Sequence, residues 1–451
     1  MHTVLVRNAA AIATFDDRDR VLHDASIRIV DSCIEAIGPA DEVDAPADEV
    51  IDASGHVLVP GLVNTHHHFY QTLTRNVPAG QDVNLFNWLV AHYPIWARMD
   101  AEAIDVSTRV AIAELMLSGC TTAADHTYMW PNGARVDDQI HAAAEMGFRF
   151  HAARGAMSVG ESQGGLPPDH AVEDERFILE DSQRVIEQFH DPGDYAMTRV
   201  VLAPCSPFSV SRALMRETTR LARHYGVHMH THLAETLDEE YYCQERFGLT
   251  PVEYAEDVEW VGDDVWFAHM VHPQEAEIAR LGQHRCGVAH CPSSNMRLAS
   301  GAAPIKPLQT AGARVGLGVD GSASNDCSHM LAEARQALLM HRLTGGPDAL
   351  TAREALRIAT RGGAEVLGRN DIGHLAPGMA ADIVGYRLDS LPLAGGAVHD
   401  PVAALVFCMP PRVDLNIING RLKVHEGRLL GVDLPALVRR HNAIATDLVQ
   451  G

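Results

Sequence analysis

Lysine is almost missing from this chain: Lys306 and Lys423 are the only two in 451 residues. With 36 Lys+Arg against 59 Asp+Glu the formal net charge is -23, which repels a nucleic-acid backbone or an anionic membrane surface. No apolar run reaches the roughly 18 residues that a membrane-spanning helix needs. The eight cysteines form no C-x-x-C pair, which argues for reduced thiols and against a zinc ribbon or a disulfide scaffold. The first residues, Met1 to Arg7, lack the charged-then-apolar order of a signal peptide. A cytoplasmic enzyme, expected as a homo-oligomer with no nucleic-acid and no membrane partner, remains. At 46% hydrophobic residues the chain can bury a large core, more than one ordinary domain holds.

Histidine is what the chain has in quantity: 26 residues. Two stretches place it on every second position at the end of an apolar run. These are Val63-Asn64-Thr65-His66-His67-His68 and His228-Met229-His230-Thr231-His232. Residues i and i+2 of a strand share a face, so such pairs can converge on one metal ion just beyond the strand end.

Residues 1 to about 55 alternate short β-branched runs with turn signals, and the pattern returns near the other end. Strands are expected over Ala381–Tyr386, Leu405–Cys408, Val413–Ile418 and Arg421–His425, with Asn419-Gly420 as a hairpin turn. Neither terminal piece is large enough alone, so they are expected to combine into one small β-sandwich domain, 1–58 with 366–451, the C-terminal helix included. Between them, over 59–365, strand, loop and helix repeat. Candidate strands end near Asn64, His126, Gly155, Cys205, His232, His269, Cys291 and Asp320. Eight strands alternating with helices predict an α/β fold, a (β/α)8 TIM-type barrel, with an open doubly wound sheet as the alternative.

A barrel sorts the polar residues, because reacting groups sit at the C-terminal strand ends. His66 and His68 end strand one, His232 strand five, His269 strand six and Asp320 strand eight. Imidazoles with one carboxylate suit zinc or ferrous iron, with a position left for water. His67 faces away from the pair, and His228 and His230 lie deeper; these three take structural roles. Glu235 is placed to meet a metal-activated water, or to act as a first-turn acid at a helix N-terminus, or both. Asp320 can bind metal, accept a proton, or do both. Trp88 and Trp96, with Phe86 and Tyr93, either pack a helix or form a wall against a flat substrate. Gly316–Gly321 matches G-x-G-x-x-G, but Asp320 would sit where a pyrophosphate must approach.

Pro60–His68, His232-Leu233-Ala234-Glu235, Ala289–Asn295 and Gly318-Val319-Asp320-Gly321 resemble the amidohydrolase superfamily, in the branch of the guanine deaminases and triazine hydrolases. The resemblance spans nearly the whole chain. It implies one divalent metal, Zn2+ or Fe2+, on His66, His68, His232 and Asp320. Glu235 would be the proton shuttle and His269 would orient the attacking water, so that Glu235, His269 and Asp320 form the catalytic set. Binuclear relatives bridge two metals with a carbamylated lysine at strand four. Here that strand ends Leu202-Ala203-Pro204-Cys205-Ser206, so the resemblance implies a mononuclear site.

The implied reaction is hydrolytic deamination of a purine-like small molecule, an aminated oxopurine such as 8-oxoguanine. Guanine, isoxanthopterin or adenosylhomocysteine-type deamination and triazine dechlorination are the alternatives. Gln71, Trp88, Trp96, Cys205 and Phe208 are the candidate substrate-binding residues.

Overall fold

The computed structural model describes residues 1–450. The N-terminal segment supplies five strands: β1 (Thr3–Ala13), β2 (Val21–Val30), β3 (Cys33–Pro39), β4 (Glu49–Asp52) and β5 (His56–Pro60). Eight parallel strands then close a barrel: β6 (Leu62–Asn64), β7 (Cys120–Thr127), β8 (Arg149–Ala156), β9 (Thr198–Pro204), β10 (His228–Leu233), β11 (Val265–His269), β12 (Gly287–His290) and β13 (Arg314–Leu317). The final strands β14 (Ile383–Arg387), β15 (Leu415–Ile418), β16 (Arg421–His425) and β17 (Arg428–Leu429) return to the first sheet. There β14 pairs antiparallel with β5, making one nine-stranded sheet from both termini.

The barrel strands are buried along most or all of their length, because helices cover the barrel's outer side. Gly119, Gly147 and Gly226 end three of these helices in the left-handed region, where a Cβ would be strained. The sheet and barrel are joined by one residue, Gly61, between β5 and β6. A Cβ there would lie 2.1 Å from Thr121 Oγ1, so only glycine lets the chain cross this close to β7.

A buried ion pair locks the same junction. Arg149, at the start of β8, donates from Nη2 and Nε to the two Asp382 oxygens at 3.0 and 3.1 Å. Asp382 also accepts from the Asn419 backbone at 2.7 Å. Arg149→Met should leave a buried carboxylate uncompensated, at a cost of about 3–5 kcal/mol. A Tm lower by about 3–5 °C is expected for a chain this long, read by calorimetry.

Two terminal features differ from the sequence reading. Leu405–Cys408 is not a strand: Leu405 to Phe407 belong to a helix, Pro401–Phe407, and Cys408 is its C-cap. Asp400 caps it, accepting from Val402 and Ala403 N–H at 3.0 and 2.9 Å, and Pro401 occupies the first turn. The C-terminal helix, Leu434–Gln450, lies on the barrel and not with the sheet. Ile444 and Leu448 pack in the cluster of Tyr70, Leu73, Trp96 and Ile104, and His441 Nε2 meets Thr72 Oγ1 at 3.0 Å. The Asn419-Gly420 turn has φ of 50° and 76°, as a type I′ hairpin turn requires. No helix among the described residues is long and apolar enough to cross a membrane.

Candidate metal centre and substrate cavity

The barrel brings His66, His68, His232, His269, Glu235 and Asp320 together at its C-terminal mouth. Strand one is tied to strand eight there: Asn64 Oδ1 accepts from Val319 N at 3.0 Å, and Asp320 N donates to His66 O at 3.1 Å. Asp320 therefore reaches the site from three residues beyond the end of β13.

Hydrogen bonding decides the tautomer of each imidazole. His68 Nδ1 lies 2.6 Å from His126 O and His232 Nδ1 lies 2.7 Å from Cys205 O. A carbonyl only accepts, so both Nδ1 atoms carry the proton and both Nε2 atoms carry a lone pair. His230 Nδ1 likewise donates to Trp266 O at 3.0 Å, which leaves its Nε2 to accept from His66 Nδ1 at 2.8 Å. His66 Nε2 is then a third lone pair, buried without a hydrogen-bond partner.

These three lone pairs face one another and the Asp320 carboxylate. His68 Nε2 is 3.1 Å from His232 Nε2, and Asp320 Oδ1 is 3.2 and 3.3 Å from His66 and His68 Nε2. Ligand atoms held at 2.0–2.1 Å from a tetrahedral zinc are about 3.3 Å apart. Both the donor set and its spacing fit a divalent cation. Burial, with His68 second, pushes His232 down to about 3, and burial drives His66 well below its ordinary value. Both are therefore neutral imidazoles at pH 7, the form that binds metal.

Two overlapping groups able to hold an ion share His66: His66–His68–Asp320 and His66–His232–His269. In a third, His66–His126–His230, His230 Nε2 is taken up by the His66 proton, while His126 Nε2 donates to Ala203 O at 2.8 Å and its Nδ1 has no partner. His67 points elsewhere, to Ser328 Oγ at 2.8 Å.

His269 Nε2 stands 3.4 Å from Glu235 Oε2 and 4.0 Å from Asp320 Oδ2. Burial, with Asp320 adding to it, pushes the Glu235 carboxyl above its ordinary range. Glu235 Oε1 accepts from Ser300 Oγ at 3.3 Å. Four non-glycine residues here take left-handed backbone: Ala234 (φ 54°), His269 (73°), Met270 (47°) and Asp320 (62°). Such strain costs of order 1–3 kcal/mol each and gathers where surrounding contacts over-determine the geometry. Glu239 is one such contact, accepting from Ala234 N and Glu235 N at 3.0 Å each.

A cavity of about 470 Å³ opens over the centre, lined by Gln71, Trp88, Cys205 and Phe208 among others. Gln71 sits in the 3-10 turn Phe69–Thr74, where Oε1 accepts from Ala323 N at 3.4 Å. A Cβ on Gly321 would fall 1.8 Å from that oxygen. Trp88 Nε1 donates to Ala323 O at 3.1 Å, and the Phe208 ring packs on Phe86.

Trp96 is not part of the wall. It is fully buried, donates to Thr74 Oγ1 at 3.0 Å and stands edge-on behind Trp88 and Tyr70. Tyr93, seen in the sequence as part of the aromatic run, and Tyr128, Glu239, Leu298 and Ser324 line the cavity as well. Tyr128 was findable two residues past His126, just beyond the end of β7, and Glu239 four residues past Glu235. The strand-four end holds Cys205, whose thiol burial pushes up to about 12. Lys306 is far away in an ion pair with Glu354 at 2.7 Å.

The chain belongs to the amidohydrolase family, whose model matches residues 57–423. It is 48% identical to an 8-oxoguanine deaminase of Pseudomonas aeruginosa, over 100% of both chains. An isoxanthopterin deaminase from an unknown prokaryotic organism is 36% identical, with 99% and 98% covered. Among solved structures, atrazine chlorohydrolase from Arthrobacter aurescens TC1 complexed with zinc superposes with a TM-score of 0.94 at 36% identity, covering 98% of this chain and 100% of that one.

Proposed function

We propose that this protein is a metal-dependent aminohydrolase that converts 8-oxoguanine and water to urate and ammonia. The observation that carries the chemistry is the convergence of three Nε2 lone pairs and one carboxylate on the floor of the cavity. Full-length identity to a named 8-oxoguanine deaminase supports the substrate.

His66, His68, His232 and Asp320 would hold one divalent ion, zinc before ferrous iron. Such an ion supplies the Lewis acidity that makes water nucleophilic near neutral pH. His269 and Asp320 orient the attacking water toward the ring carbon that bears the exocyclic amine. Glu235, kept protonated to higher pH by its burial, gives its proton to the adjoining ring nitrogen. Glu235 or Asp320 then passes the water's proton to the departing amine, which leaves as ammonia and restores the ring. Gln71 offers both a donor and an acceptor to the purine edge. Trp88 and Phe208 cover its faces, and Cys205 faces the substituent that separates 8-oxoguanine from guanine.

The test is parallel kinetics on 8-oxoguanine, guanine, isoxanthopterin and adenosine with ammonia detection, and chloride release from atrazine. The kcat/KM for 8-oxoguanine should exceed that for guanine by about tenfold or more, since a polar pocket rejects an analogue lacking its polar group. Adenosine should be poor for want of room for ribose. Guanine or adenosine as best substrate overturns the assignment of substrate, and chloride release without ammonia overturns the reaction.

A further inference from the structure

The opposite mouth of the barrel carries a basic cluster that no step of this reaction uses. His151 of β8 and Arg199 of β9 are register partners near the strand starts. His228 opens β10 opposite Val201, two residues on from Arg199 and so on the same face. With His190 and Pro192 of the preceding turn they line a recess of about 450 Å³.

Arg199 is the anomaly. The buried arginines around it are satisfied: Arg149 by Asp382, Arg154 by Glu173 and Asp181, Arg369 by Asp371, all at 2.7–3.0 Å. Arg199 has no carboxylate partner among the described residues. Its Nη atoms make only long contacts, to Gly368 O at 3.3 Å and Pro192 O at 3.5 Å. Its Nε is buried without a partner, which is costly for a charged donor. The two nearest acids are engaged: Asp371 with Arg369 and Tyr195 N, and Asp191 with Gly193 N at 2.9 Å.

The histidines add donors around it. Val200 N donates to His190 Nδ1 at 3.1 Å, so the His190 proton sits on Nε2. Arg369 Nη1 lies 3.5 Å from His151 Nε2, which places that proton on Nδ1. Burial, with Arg314 second, holds His228 down at about 4, so it contributes a neutral N–H. One uncompensated cation ringed by neutral donors is the complement of a small anion with several acceptor oxygens.

We propose that this recess binds one small oxyanion, with the Arg199 guanidinium as its charge partner and the imidazole N–H groups of His190, His151 and His228 around it. The anion would bridge β8, β9, β10 and the turn at His190, at the end of the barrel where contacts serve stability.

Calorimetric titration of the metal-loaded protein at fixed ionic strength in chloride tests this. One arm uses inorganic phosphate and the other acetate, which separates a tetrahedral oxyanion from a carboxylate. One saturable site per chain is expected in at least one arm, unaffected by substrate in the other mouth. Arg199→Met should weaken binding by about tenfold or more and leave kcat and KM unchanged. Arg199→Lys keeps the charge without the fork and should weaken binding by less; it serves if Arg199→Met fails to fold. No saturable binding in either arm, binding displaced by substrate, or unchanged affinity in the variant that folds each overturns the proposal.

Discussion

Glu235→Gln is expected to lower kcat by about 10²–10⁴-fold, the range of a positioned general acid–base group, while metal content stays at the parent level. Gln keeps the shape and the Ser300 hydrogen bond but cannot give up a proton. Its position explains why the loss should fall on kcat. Glu235 reaches His269 at 3.4 Å through Oε2 and sits at the cavity edge, outside the set of lone pairs. The parent's pH profile follows from the same burial. A carboxyl raised above its ordinary value stays protonated to higher pH, so the acid-dependent step weakens as pH rises through that raised value. The variant should lack this limb. Glu235→Gln turning over like the parent would remove Glu235 from the chemistry.

His68→Ala should abolish both metal binding and turnover while the circular dichroism of the barrel persists. His68 contributes one of three Nε2 lone pairs, and its ring is oriented by a 2.6 Å bond to His126 O. Without it the Asp320 carboxylate and the two remaining Nε2 lone pairs are one ligand short of the set. The fold should survive because the ring projects from beyond β6 and takes no part in a strand ladder. Elemental analysis should give one ion per chain in the parent. Two ions per fully active chain would overturn the mononuclear reading, which rests on Cys205 standing at strand four with no lysine nearby.

Much of this was legible in the sequence. The eight strand ends marked by Asn64, His126, Gly155, Cys205, His232, His269, Cys291 and Asp320 fall on or within three residues of the observed barrel strands. Alternating histidines after apolar runs carry a direct geometric meaning, and glycines at helix exits mark the period of the barrel. What sequence left open is depth and direction. Trp88 and Trp96 are eight residues apart on one helix face, and only tertiary packing makes one a wall and the other its support. Leu405–Cys408 is a short apolar run, which periodicity cannot divide between strand and helix; the Asp400-Pro401 cap settles it. Arg199 gave no signal, because its meaning depends on which carboxylates nearby are already engaged.

The centre and the wall come from different parts of the chain. The imidazoles and Asp320 stand at strand ends whose backbone is strained and cross-braced, whereas Gln71, Trp88 and Phe208 come from the turns and helices that follow those ends. Substitutions in the second group leave every ligand-orienting bond untouched. Selection can therefore rewrite which flat heterocycle enters without reopening the problem of activating water. A family built this way is expected to diversify by substrate while keeping its chemistry, as the purine, pterin and triazine names among its relatives illustrate.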